Sequence, residues 1–383
     1  MKTLSTYIDN RIGLMKLSET QKEQLIEMDK EYGKLFFLYK KVCNRNSILN
    51  LDSEREKFFE ARKRGIKYFP VLEPKINHDK LEDTLTPRLL ELRSKFYKFP
   101  CFLSHYYIEL ISDLLGMANF LTNPKLYNSW FEKYNDDQRP SYKQFQAALA
   151  TVKANPYQHV PAGERNIGSK EAQKEMQDYI DELGYDWEVK LVDDLVPRMS
   201  VKADGTMNVK TDAKFSKDDL EGLKKHEIEG HIGRRHYGYK TKLFLFVGGL
   251  KGRNTLDEGL AVWNSLNKVE KPKPNIKFNT ALKTVIAYYI DKKDFCELFD
   301  YCKSIVPNFP DDKLFSALIR FKRELGDCSL PGGLTDDSSY FCGYQMVNKM
   351  SDALRDDILK YNVGPKQIKD IPKIKKFLSI NKL

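Results

Sequence analysis

Lys224-Lys225-His226-Glu227-Ile228-Glu229-Gly230-His231 places two of the chain's six histidines five positions apart, with a Glu directly after the first; His236 follows five further on. Three histidines within eleven residues is metal-ligand density. The zinc-protease helix H-E-x-x-H sets its imidazoles four apart, on one helix face, with the Glu beside the metal-bound water. Here the interval is one longer. On a regular α-helix, residues five apart diverge by about 140° and could not share an ion. A π-type turn realigns an i, i+5 pair, and such turns concentrate at functional sites. Gly230 is the expected place for the distortion.

Catalytic zinc takes three protein ligands and keeps one open position. The third is expected from Thr255-Leu256-Asp257-Glu258-Gly259-Leu260-Ala261-Val262-Trp263, a helix start in which Gly259 and Ala261 are small enough for a close helix approach. Glu258 can then join His226 and His231 in a His2Glu site, leaving Glu227 as the base on the metal-bound water. Glu229 and His236 are rival third ligands and rank below Glu258, because neither lines up with both His226 and His231 on a single distorted turn. Taken alone, H-E-x-x-x-H is a weak signal, since a charged amphipathic helix can carry it by chance. The D-E-G-L-A start downstream supplies the other half of the site.

The chain has 383 residues, 41% of them hydrophobic, which supports a substantial core. A helical N-terminal region is expected over 1–168 and a metallopeptidase region over 169–383, the two forming separate domains or one continuous unit. Six cysteines without a C-x-x-C pair suggest neither a disulfide framework nor a zinc ribbon. No signal-peptide run opens the chain and no stretch approaches the ~20 apolar residues of a membrane helix, so a cytoplasmic protein without membrane contact is expected. A net charge of +10 biases the surface toward acidic partners. It comes without any zinc-finger, phosphate-loop or RNA-binding strand motif, so no nucleic-acid partner is expected.

Around the histidine stretch the patterning is mostly helical, giving an α+β class with a small sheet. Trp187 to Val192 alternates with period two, and Met199 to Lys210 forms two alternating runs about Asp204-Gly205, a hairpin signal. A small antiparallel sheet or hairpin is therefore expected just before the metal helix, with an edge strand placed to pair with an extended peptide. Ser216 caps that helix, and Asp218 and Asp219 complement its dipole. Phe244 to Asn254 reads as an apolar run closing in a tight glycine loop along the cleft. One helix is expected from the Gly332-Gly333 loop to about Lys360, then a terminal helix on the surface after Pro365.

With these residues assembled, the chain resembles the tyrosine carboxypeptidase family, which includes microtubule-associated enzymes and bacterial proteins named for a QEGLA motif. The resemblance rests on His226 to His231, on Gly249-Leu250-Lys251-Gly252, and on Asp257-Glu258-Gly259-Leu260-Ala261-Val262 in place of Q-E-G-L-A-V. It extends to Arg320-Phe321-Lys322-Arg323, to Pro331-Gly332-Gly333 and to Tyr340-Phe341-Cys342-Gly343, and more loosely to Lys67-Tyr68-Phe69-Pro70 and Leu126-Tyr127, covering roughly residues 60–350. It implies a zincin-like metalloprotease core and one zinc ion bound by the two His and the EGLA Glu, with Glu227 as base. The implied activity is removal of a C-terminal aromatic residue, the best-known substrate being the acidic tail of tubulin. Thr335-Asp336-Asp337 replaces the family's Thr-Lys-Asp, and Arg253 stands where an aromatic is expected.

An exopeptidase must also hold a free carboxylate, which the planar fork of Arg does best. Arg253, Arg320 and Arg323 are the candidates, and Tyr340 is a candidate for oxyanion stabilisation or for an aromatic pocket wall. The competing functions are a zinc endopeptidase and a scaffold that keeps a vestigial metal site.

Overall fold

The structure, a computed structural model, describes residues 16–122, 139–159, 165–193 and 197–383. Leu126-Tyr127 and residues 135–138 of the Asn135 to Pro140 loop lie outside the described residues. The first helix, α1 (Glu19–Val42), starts at a capping box: Ser18 Oγ accepts from the Gln21 N–H and the Gln21 side chain accepts from the Ser18 N–H. A short antiparallel ladder, β1 (Cys43–Ile48) with β2 (Pro74–Ile76), brackets α2 (Leu51–Lys63). Then come α3 (Thr86–Lys98), the long α4 (Ser104–Thr122) and α5 (Tyr142–Ala154).

A β-rich stretch follows: β3 (Ile167–Gly168), α6 (Ser169–Glu182), β4 (Glu188–Val192), β5 (Met199–Val201), β6 (Thr206–Lys210) and β7 (Lys214–Phe215). The hairpin about Asp204-Gly205 forms as its alternation predicts, with Met199 opposite Val209 and Val201 opposite Met207. The sheet is not purely antiparallel, however. Its strand order is β4-β6-β5, and β4 runs parallel to the central β6. Alternation in a single strand says which side chains face one way and says nothing of the partner's direction. The outer edge of β4 is closed by α6: the Gln177 side chain accepts the Val189 N–H at 2.9 Å, and Gln173 donates to the Val189 carbonyl at 2.8 Å. The opposite edge strand, β5, packs beside the histidine helix.

That helix is one rod in three parts: α7 (Lys217–Leu223), a π segment (Lys224–Ile232) and α8 (Gly233–Lys240). Ser216 and Asp219 form its capping box, and Asp219 also binds Arg198 at 2.6 Å and Lys273 at 2.9 Å. The run after it is a short helix, α9 (Phe244–Gly248), and not a loop. The cause lies far away in sequence: the buried Asp29 of α1 accepts the N–H groups of Phe244 and Leu245 at 2.6 and 2.9 Å and so caps it.

The remaining helices are α10 (Arg253–Asn267), α11 (Ile276–Tyr289), α12 (Phe295–Ile305), α13 (Asp311–Lys322), α14 (Ser339–Val347), α15 (Asp352–Tyr361) and α16 (Ile371–Asn381). The single helix expected up to Lys360 is thus two, divided before Ser351, whose hydroxyl accepts the Leu354 N–H and starts the second. Nor is the last helix a surface element. Ile371, Ile374, Phe377 and Leu378 are buried in the same core as α1 and α4, a docking that a Lys-rich composition conceals.

The two larger cores each draw on residues from both sides of position 168, while the third, around the sheet and the π segment, comes from within residues 167–232. Helix α10 lies where these layers meet, and its small residues serve two different neighbours. A Cβ on Gly230 would sit 3.1 Å from the Ala261 Cβ, so this pair brings α10 against the π segment. Gly259 faces the other way, and a Cβ there would lie 2.3 Å from the Gly343 carbonyl carbon in α14. No helix among the described residues is long and apolar enough to cross a membrane.

The two-sided contact at α10 generates a prediction. A Cβ at Gly343 would lie 1.8 Å from the Thr255 oxygen, so Gly343→Ala must push α14 off α10. A loss of about 2–3 kcal/mol in urea unfolding is expected. An unchanged midpoint would show that the contact is softer than the backbone geometry requires.

Candidate metal centre and active-site cleft

The π segment does for the histidines what the sequence requires, over nine residues and not one turn at Gly230. Its i→i+5 pattern turns His226 and His231 toward one side, with ring centroids 5.2 Å apart. Glu258, on the first turns of α10, meets them there. Its Oε2 lies 3.5 Å from His231 Nε2 and 3.9 Å from His226 Nε2. One ligand atom from each of the three residues falls within 4.8 Å of the other two.

Hydrogen bonds to the other ring nitrogens set the tautomers. His226 Nδ1 lies 3.2 Å from Ser265 Oγ, which itself donates to the Ala261 carbonyl and is therefore an acceptor for the imidazole. His231 Nδ1 lies 2.7 Å from Asp257 Oδ1. Both Nε2 atoms are thereby the ones aimed at Glu258, the arrangement in which a second group orients a metal-binding histidine. Asp257 in turn is held by the buried Arg234 at 2.7 Å and by Arg253 at 3.1 Å.

Burial and the neighbouring carboxylates set the two imidazoles apart in protonation. Burial lowers the pKa of His226 and keeps that ring neutral. Burial also opposes protonation of His231, but the carboxylates of Asp257 and Glu258 outweigh it and raise the His231 pKa to about 10. Glu258 Oε2 is buried and accepts no hydrogen bond. An unsatisfied buried carboxylate oxygen facing two Nε2 atoms fits a divalent ion, and two His with one Glu is a zinc donor set.

A cavity of about 290 Å³ opens on this cluster, lined among others by His226, Glu227, Lys283, Arg320 and Tyr340. The charge of Glu258, then burial, pushes the Tyr340 phenol well above its usual pKa, so it remains a proton donor. Arg320 grips Asp337 through Nε and Nη2 at 2.5 and 2.8 Å. The other two arginines do not line this cavity. Arg253 is turned to Asp257, and Arg323 Nε donates to Glu324 at 3.0 Å. The rival ligands are engaged elsewhere: Glu229 pairs with Lys225 and Lys268, and His236 packs on Tyr185.

The family model of the microtubule-associated tyrosine carboxypeptidases matches residues 105–382. The chain belongs to that family. No curated protein matches it. The match starts later than the motif resemblance and runs on through α16, the helix taken from sequence as surface. For a member of the microtubule-associated tyrosine carboxypeptidase family, carboxypeptidase activity is the expected chemistry. Sequence alone assigns no role to Arg234, Ser265 or Lys283, and Asp257 and Asp337 appear in it only as motif positions. Asp257 is marked there by its place beside Glu258, and Asp337 by the Thr335-Asp336-Asp337 departure from the family's Thr-Lys-Asp. The others are distant in sequence and meet the site through folding.

The charge pattern predicts the titration of metal-free protein. His231 stays protonated through pH 7–8 while His226 stays neutral. With a folded pKa above the unfolded value, His231 contributes stability that is fully present below about pH 6.5 and is lost as pH rises toward 10. Histidine NMR on chelated protein reads both rings, and Asp257→Asn should bring the His231 midpoint down. A His231 ring that titrates near 6.5 in the parent protein contradicts this account.

Proposed function

We propose that the chain is a zinc-dependent metallo-carboxypeptidase with a zincin-like core, which removes a C-terminal residue of Tyr or Phe type from a protein or peptide. What carries this reading is the convergence of His226, His231 and Glu258, with His226 and Glu227 lining the cavity beside them. His226 and His231, through Nε2, and Glu258 would hold one zinc ion, which supplies a Lewis acid and lowers the pKa of bound water toward ~7.

The chain's own residues do the rest. Glu227 takes a proton from water and passes it to the departing amine, the two tasks of one carboxylate in peptide hydrolysis. Tyr340, kept protonated by the charge of Glu258, donates to the oxygen on which negative charge develops. Arg320, on the same cavity wall, places positive charge where a terminal carboxylate must lie. Ser265 and Asp257 hold the imidazoles in their tautomers. The net charge of +10 suits an acidic partner, such as the tail of tubulin, met in the cytoplasm without nucleic acid or membrane.

The decisive assay incubates the protein with C-terminally varied peptides, with and without chelator, and identifies the released amino acid by mass spectrometry. Glu227→Gln should retain stoichiometric zinc and lose about 10²–10⁴-fold in turnover. His226→Ala and Glu258→Ala should lose the zinc itself. Internal cleavage of blocked peptides makes the protein an endopeptidase, and absence of zinc after purification in zinc-containing buffer makes it a scaffold.

A further inference from the structure

The catalytic cavity does not end at Arg320. A second cavity, of about 630 Å³, adjoins it and shares Asn279, Lys283 and Arg320 as a common wall. Leu282, Phe309 and Ala317 give this annex an apolar lining, and Arg55 and Lys313 add two cations against the single acid Asp312.

The common wall is unbalanced in charge. Asp337, nearly buried, faces both Lys283 at 3.2 Å and Arg320 at 2.5 Å, so two cations share one carboxylate. Burial opposes the ionisation of Asp337, yet Lys283 and Arg320 hold its carboxyl well below the usual range, so it stays charged. Arg320 has its fork occupied, because two of its nitrogens already bind both Asp337 oxygens. Among the described residues Lys283 has one ion-pair contact, and it lies 4.2 Å above the Tyr340 ring, where its ammonium is in reach of a ligand entering beside Glu227. Burial and the Arg320 charge lower its pKa, against the opposing pull of Asp337 and Glu258. A ligand carboxylate arriving at this wall would meet two cations that share the single carboxylate of Asp337 between them.

We propose that the Lys283–Asp337–Arg320 wall grips the C-terminal carboxylate of the substrate, with the Lys283 ammonium as its principal donor, and that the annex takes the side chain of the terminal residue. This rests on the carboxypeptidase reading. A terminal residue lies one step, about 3.8 Å between Cα atoms, from the residue whose carbonyl is attacked. A carboxylate on the common wall therefore lets the scissile carbonyl sit between Tyr340 and Glu227 while the terminal side chain enters the annex. The apolar lining suits an aromatic ring, and Arg55 with Lys313 repels a basic side chain. C-terminal Lys and Arg are therefore excluded.

The test uses the zinc-loaded Glu227→Gln protein and paired peptides ending in a free or an amidated Tyr, with binding read by calorimetry. The parent E227Q should bind the free acid at least about tenfold more tightly, the worth of one charge-assisted hydrogen bond. Adding K283M should abolish that preference and K283R should restore part of it. In the otherwise native enzyme, A317W should lower the ratio of Tyr to Ala release at least about tenfold by filling the annex. No preference in the parent E227Q sinks the carboxypeptidase reading and this proposal with it. A preference that survives K283M in a folded protein overturns the proposal alone, as does release of C-terminal Lys at the rate of Tyr. Should K283M not fold, the A317W ratio and the Lys-terminated peptide decide the matter.

Discussion

Three helices approach one another here more closely than side chains ordinarily permit, and the site depends on it. Helix α10 meets the π segment through Gly230 and Ala261 and meets α14 through Gly259 and Gly343. On one side this brings Glu258 to His226 and His231. On the other it brings Tyr340, at the start of α14, to face Glu258. Larger residues at these contacts would separate backbones, and three donors within 4.8 Å would be too far apart to share an ion. The packing at these small residues thus controls how closely the three donors approach, as well as stability.

Charge is arranged in nested shells around that contact. Asp257 is the inner hub, holding His231 directly and held in turn by Arg234 and Arg253. Arg234 also donates to Asn362, whose side chain binds the carbonyls of Phe246 and Val247. The turn before α10 is therefore tied to the same group that orients the ligand. At the cap of the rod, Asp219 is paired with Arg198 and Lys273 and keeps its carboxyl well below the usual range, against the effect of burial. Buried charges of this kind are tolerated because each is paired and hydrogen-bonded. At the wall of the cleft Asp337 faces two cations, the half-buried Lys283 and the more exposed Arg320.

Much of the site could be read without coordinates because its signals are local. The capping residues Ser216 and Asp219, the His–Glu–His spacing and the D-E-G-L-A start each encode their role within a few positions, and the five-residue interval itself demands a π distortion. Gly230 is a partial success: it lies within the distortion, but its smallness serves the approach of Ala261. Of three candidate arginines, sequence could not tell Arg320 from Arg253 and Arg323, since all carry the same fork and only the neighbouring carboxylate decides where each one points.

What sequence determined unaided was therefore the helical class, the hairpin, the capped histidine helix and the grouping of His226, His231 and Glu258 as candidate ligands, because periodicity, capping and residue spacing act over short chain distances. Tertiary structure alone decided the parallel pairing of β4, the helical state of Phe244–Gly248, the burial of the last helix, and the assembly of Asp257, Lys283 and Asp337 around the cleft. Each of these depends on a partner more than ten residues away, such as Asp29 for α9 or Arg320 for Asp337. No local pattern records which distant group will supply a hydrogen bond or a counter-charge.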